Sequence, residues 1–292
     1  MITGAYLRAR KTLLTATPLD LATTLTTLLV AFHGFKIWFV RLPSQALVVL
    51  GLIFRAWLSH PLFWLLLAAL AGGRILYLWQ DVDNHKYILF YWLCLLALAH
   101  ALSDEALKQK LVLTNARFFL VFIMLGAAAQ KLTSPSYMDS SFFELTLLTD
   151  GRFRGLTTLF GIDPGPALQA REFLDWLKSP YVTVQGNAIV LPARPALSAL
   201  ASFVTWYDLI IQIVIGGAFL IGRRASDLVG HAALLAFIFT AYFSAPVIGF
   251  AWALIIFGIL LAKERFPNLA MLYVFALVAT TLYKIPWKSW VA

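Results

Sequence analysis

The chain has 292 residues, of which 61% are hydrophobic and 13% charged, with a mean hydropathy of +0.81. Soluble domains carry about 25% charged residues, so the composition excludes an ordinary soluble domain and points to an integral membrane protein. The net charge of +9 is expected to mark cytoplasmic loops rather than a nucleic-acid partner, and Cys94, the one cysteine, excludes an intrachain disulfide or a cysteine-rich metal site.

In chain order, Met1 to Thr17 is polar and basic, with Arg8, Arg10 and Lys11 and no small-residue cleavage site. The first apolar segment is therefore expected to remain as a membrane helix. A spanning helix needs about 20 apolar residues, and that length places spans at 20–40, 43–58, 61–79, 86–102 and 115–132. Four more are expected at 197–221, 228–243, 246–262 and 268–285. The long apolar run near residue 245 is divided at Ser244-Ala245-Pro246, where proline and small residues favour a turn.

Charge sets the orientation. Nine spans with the N-terminus in the cytoplasm put Arg8, Arg10, Lys11, Arg55, Lys108, Lys110, Arg223, Arg224, Lys263 and Arg265 on inner segments. That is the positive-inside asymmetry, and Lys284 and Lys288 run against it. The expected fold is all-α: a polytopic transmembrane bundle of about nine spans with a small extracytoplasmic cap. Its parts are a cytoplasmic segment 1–19, a first helix group 20–132, the cap loop 133–196 and a second helix group 197–292. Within the cap, 171–178 has the pattern of a short amphipathic helix and 182–190 that of a small hairpin.

Ionisable side chains inside spans are costly and mark functional sites by default. Here they gather toward the outer face: His33 and Lys36 in the first span, Arg74 in the third, His85 opening the fourth, Lys131 closing the fifth, and Asp208 within the sixth. A water-accessible cavity opening outward would unite them, and Asn84 beside His85 would belong to it. Structural readings stand alongside. Lys36 and Lys131 can snorkel to the interface, Asp81-Val82-Asp83-Asn84 can cap a helix, and Arg74 and Asp208 can form an ion pair. His60, His100 and His231 fall near the inner face and are expected to be interfacial. No HExxH motif, phosphate-cradling glycine loop or GxSxG elbow occurs, and no metal is expected.

Three segments resemble a known family. Asn84-His85-Lys86-Tyr87 resembles the Asn-His-x-Tyr segment of vitamin-K-dependent γ-glutamyl carboxylases. Gly126-Ala127-Ala128-Ala129-Gln130-Lys131-Leu132 is similar to their lysine-leucine-terminated helix, and Tyr207-Asp208-Leu209 resembles a later helix with an acidic residue. The shared region is the horizontally transferred transmembrane (HTTM) domain, over roughly residues 20–265. The resemblance implies Lys131 as the base that deprotonates a reduced quinone and His85 as its assistant. Asn84, Arg74, Asp208, Lys36 and His33 would line or support the pocket.

The chain departs from the carboxylases at Gln130, where they have a second lysine, and at Ile238-Phe239, where they have a Phe-His pair. Thr133-Ser134-Pro135-Ser136 replaces their acidic, tryptophan-containing segment. The sequence holds no counterpart of the large luminal domain that grips propeptides, so peptide carboxylation is not part of the expectation. The leading expectation is an outward-facing pocket for a quinone or other lipid-soluble redox ligand, in a bacterial inner membrane. The alternatives are a non-catalytic accessory or scaffold subunit of a membrane complex and, third, a lipid or small-molecule transporter. Membrane lipid and other membrane subunits are the expected partners.

Overall fold

Long apolar runs leave each segment no way to satisfy its backbone except internally, and a helix does so within one segment. The computed structural model describes residues 2–35, 37–80, 84–162, 195–245 and 247–282, and among these all regular structure is helical. A short basic helix, α1 (Ile2–Thr15), precedes α2 (Pro18–His33), α3 (Trp38–Ile53), α4 (Pro61–Tyr77), α5 (Asn84–Ala101) and α6 (Glu105–Leu132). Three short helices follow: α7 (Pro135–Met138), α8 (Ser141–Thr149) and α9 (Arg154–Leu159). The chain then runs through α10 (Pro195–Ile221), α11 (Arg224–Ser244), α12 (Ile248–Ala262) and α13 (Pro267–Leu282).

By length and composition, α6, α10 and α11 are able to cross a membrane, while α3, α4, α5, α12 and α13 are apolar but shorter. The 15 residues of α12 rise about 22 Å, less than the hydrocarbon core of about 30 Å. A helix apolar on every side belongs in the interior. Accordingly α12, buried along nearly its whole length, packs against α2, α5, α6, α11 and α13. Around it, α4 packs on α3 and α5, and α10 packs on α6 and α11. Large apolar side chains cover the outside, among them Trp38, Leu76, Phe203 and Leu220. That exterior suits lipid or partner helices rather than water.

Several helix limits differ from the sequence expectation. The span expected at 20–40 ends at His33, and α3 begins at Trp38. A continuing helix would give the Gly34 carbonyl to the residue-38 amide; instead Lys86 Nζ donates to it at 2.8 Å. The helix expected at 115–132 starts ten residues earlier, because Asp104 accepts from the amides of Ala106 and Leu107 and caps it. The break at Ser244-Ala245-Pro246 falls between α11 and α12 as expected.

The cap loop was expected at 133–196. Its described part is helical, with Phe143, Leu147, Leu148 and Phe153 buried against Leu197, Leu200 and Leu209 of α10. The helix expected at 171–178 and the hairpin at 182–190 lie outside the described residues.

Candidate functional site

Close approach of α6 and α10 builds the site. Gly216 makes it possible: a Cβ there would sit 2.6 Å from Leu125 Cγ. Six residues along α6 and eight along α10 from that contact, each helix places a charge at the shared seam. Lys131 Nζ donates to Asp208 Oδ2 and, at 2.9 Å, to Gln212 Oε1. Gln212 Nε2 donates to Asp208 Oδ1 at 2.8 Å, which closes a three-residue ring. Tyr137 of α7 adds its hydroxyl to Asp208 Oδ2, and its ring lies 5.2 Å from Lys131 Nζ. Burial, then the neighbouring Asp208 charge and hydrogen bond, push the Tyr137 phenol above its ordinary pKa. It therefore stays a donor to the carboxylate.

Beside this ring lies a cavity of about 1520 Å³ lined by His33, His85 and Lys131, with Phe119, Phe122, Tyr91 and Phe250 among its walls. It collects residues from the ends of α2, α3, α5, α6 and α12. The His33 ring meets Trp252 edge-on at 4.8 Å, and the His85 ring lies 6.1 Å from Phe250. An ammonium has three donors. Two of those on Lys131 are held by Asp208 and Gln212, so the third is the one able to reach a ligand oxygen in the cavity.

The sequence candidates divide accordingly. His33, His85 and Lys131 line one cavity, and Asp208 stands directly behind Lys131. Arg74 is buried on α4, whose neighbours are α3 and α5, and it does not line the cavity. The ion pair considered between Arg74 and Asp208 is thus replaced by Lys131 with Asp208. A helix seam brings Lys131 to Asp208, whereas α4 packs on α3 and α5. Asn84 starts α5 with its side chain outside the described residues, as is Lys36.

Gln212 and Tyr137 were not singled out from the sequence. The i, i+4 spacing of Asp208 and Gln212 places both on one helical face and is the signal for the first. Tyr137 carried no such signal. Lys86, in the first turn of α5, is buried.

A second polar cluster lies at the opposite ends of these helices. Arg117 of α6 forms a bidentate pair with Asp227 of α11, at 2.7 and 2.9 Å, and donates to the Phe219 carbonyl. Arg265 adds a third contact to Asp227 at 3.1 Å. His231, expected at an interface, is buried among Phe219, Phe266 and Tyr273, with its Nδ1 3.1 Å from the Tyr273 hydroxyl. These contacts satisfy one another and join α6, α11 and the α12–α13 turn. Among the described residues no group of three or more His, Cys, Asp or Glu side chains is placed to hold a metal ion. Compared with known protein families, curated proteins and solved structures, the chain matches none.

Proposed function

We propose that the chain is an integral membrane protein of the HTTM, carboxylase-like kind, with about nine spans, and that its cavity takes a quinone or other lipid-soluble redox ligand. The observation that carries this reading is the shared lining: His33, His85 and Lys131 face one space walled by phenylalanine and tyrosine. Such a wall suits a flat apolar ring, and a few placed polar groups fix its orientation.

Lys131 presents a donor to a ligand oxygen. To act as a base it must first release a proton, and until then Asp208 and Gln212 hold the ammonium in place. No hydrogen bond joins His85 to Lys131 among the described residues, so a relay between them runs through the ligand or through water.

The test is gentle purification followed by mass spectrometry of bound lipids and proteins, for the parent and for Lys131→Ala. A quinone held by the parent and lost in the variant is the expected result. Stoichiometric partner proteins with no quinone, unchanged by the substitution, would replace this reading with that of a complex subunit.

A further inference from the structure

Helix α1 stands apart from the bundle. Thr17 is extended, and it and Asp20 cap each other at the start of α2, so α2 begins afresh and α1 is a separate helix. Among the described residues no other helix packs along α1. Its anchor is Leu13, in its last turn, which is buried in the main core.

The face it leaves open mixes leucine with base. Leu7, Arg10, Lys11 and Leu14 fall at i, i+3, i+4 and i+7, which puts them on one side of the helix. Leu7 and Leu14 are 57% and 38% exposed, Arg8 and Lys11 are exposed, and Arg10 is half-buried. α1 contains no acidic residue, and among the described residues none of its three basic side chains meets a carboxylate or another partner.

The joint after α1 fixes its height. Lys263 donates to the Ala16 carbonyl, and the Leu19 amide donates to Gln109 Oε1 at 2.9 Å. Gln109 sits with Glu105, Lys108 and Lys110 in the polar first turns of α6, just before the apolar run that begins at Leu111. With α6 crossing the membrane, the end of α1 lies where hydrocarbon gives way to head groups. Water at that level would leave the two leucines wet, and hydrocarbon would strand the bases. The boundary accepts both, because the leucines enter the acyl layer while the arginine and lysine stems reach back to the phosphates. Bases without acids favour anionic lipid over neutral.

We propose that α1 lies in the membrane surface at this end of the bundle and binds acidic lipid there, with Leu7 and Leu14 inserted and Arg8, Arg10 and Lys11 on head-group phosphates. The proposal rests on the membrane reading above and not on the cavity or its ligand.

The test places a spin label on the full chain, in a Cys94→Ser background, at Leu7→Cys, Thr12→Cys or Phe203→Cys. Thr12 is exposed on the other side of α1 from Leu7, and Phe203 is exposed on α10. Each protein is placed in vesicles of phosphatidylcholine alone or mixed with phosphatidylglycerol. Access of oxygen to the label, relative to access of a water-soluble nickel chelate, reads its depth. In the mixed vesicles this ratio at Leu7 is expected to exceed that at Thr12 roughly threefold or more, and the excess to fall by about half or more in phosphatidylcholine alone. Arg8→Gln, Arg10→Gln and Lys11→Gln together are expected to abolish the difference between the two vesicles and to leave the Phe203 label unmoved. Equal ratios at Leu7 and Thr12 in the mixed vesicles overturn the proposal. An excess that is the same in both lipids, or that keeps its lipid dependence in the triple variant, also overturns it. A Leu7 label shielded from both reagents overturns it in favour of a protein partner. A deep Phe203 label with equal ratios at Leu7 and Thr12 would sink this proposal and spare the membrane reading; a Phe203 label open to the nickel chelate would sink both.

Discussion

Lys131 and Asp208 depend on each other unequally. Without Lys131, Asp208 keeps two donors, Tyr137 and Gln212. Without Asp208, Lys131 keeps, among the described residues, the Gln212 oxygen and the Tyr137 ring, and whatever the cavity offers. Removing one partner of a buried pair costs about 3–5 kcal/mol, because the other charge stays behind. Here both side chains retain some access, 20% for Lys131 and 17% for Asp208, so the cost belongs at or below the bottom of that range. Asp208→Leu is expected to destabilise more than Lys131→Met. The double variant should recover about 1–3 kcal/mol relative to the sum of the two, as contacting residues do. Thermal unfolding in detergent of the four proteins measures the cycle. Strict additivity would mean that the pair does not form.

At the scale of helices, the register of α6 against α10 decides whether that pair can form, and Gly216 decides the register. A Cβ at Gly216 would overlap Leu125, while one at Gly217 would meet nothing within 4 Å. Gly216→Ala is therefore expected to lower stability by about 1–3 kcal/mol through overpacking. Gly217→Ala should be neutral or stabilising by up to about 1 kcal/mol, since alanine is the better helix former. Melting temperatures of the two variants separate these outcomes, and equal losses would show that the close approach is absent. Much at this scale was legible in the sequence. Apolar runs located each long helix from α2 to α13, and Pro246 marked the break between the last pairs. The missed limits came from contacts remote in sequence, which periodicity does not record: Lys86 taking the Gly34 carbonyl shortened one helix. Asp104 is a cap visible in sequence, but the polar first turns after it masked the start of α6. The same holds at the site. Costly charges in apolar runs pointed to Lys131, His85 and His33, yet only packing could assign Asp208 to Lys131 rather than to Arg74. Tyr137, in the segment expected as a cap loop, gave no sign of turning inward.

For the whole molecule, basic residues lie at both ends, and among the described residues the larger group is the one away from the cavity. Away from the cavity lie Arg55 between α3 and α4, Lys108 and Lys110 in the first turns of α6, Arg223 and Arg224 between α10 and α11, and Lys263 and Arg265 after α12. Lys263 also donates to the Ala16 carbonyl, which fixes the start of α2 to that end. Basic residues near span ends stay in the cytoplasm, so that end is expected to face inward and the cavity outward. An outward cavity draws its ligand from the outer leaflet or the space beyond it; an inward one would meet the cytoplasmic pool. Single cysteines decide between them. In a Cys94→Ser background, Arg41→Cys is expected to react with a membrane-impermeant maleimide in intact cells, and Arg55→Cys only after the membrane is opened. α3 carries both positions within one helix and the turn that follows it, so opposite labelling would also establish that α3 crosses, although its 16 residues are fewer than the about 20 usually needed. Labelling of both from the same side would place α3 along the surface and put Arg41 and Arg55 in one leaflet. The reverse pattern would turn the bundle over and point the cavity at the cytoplasm.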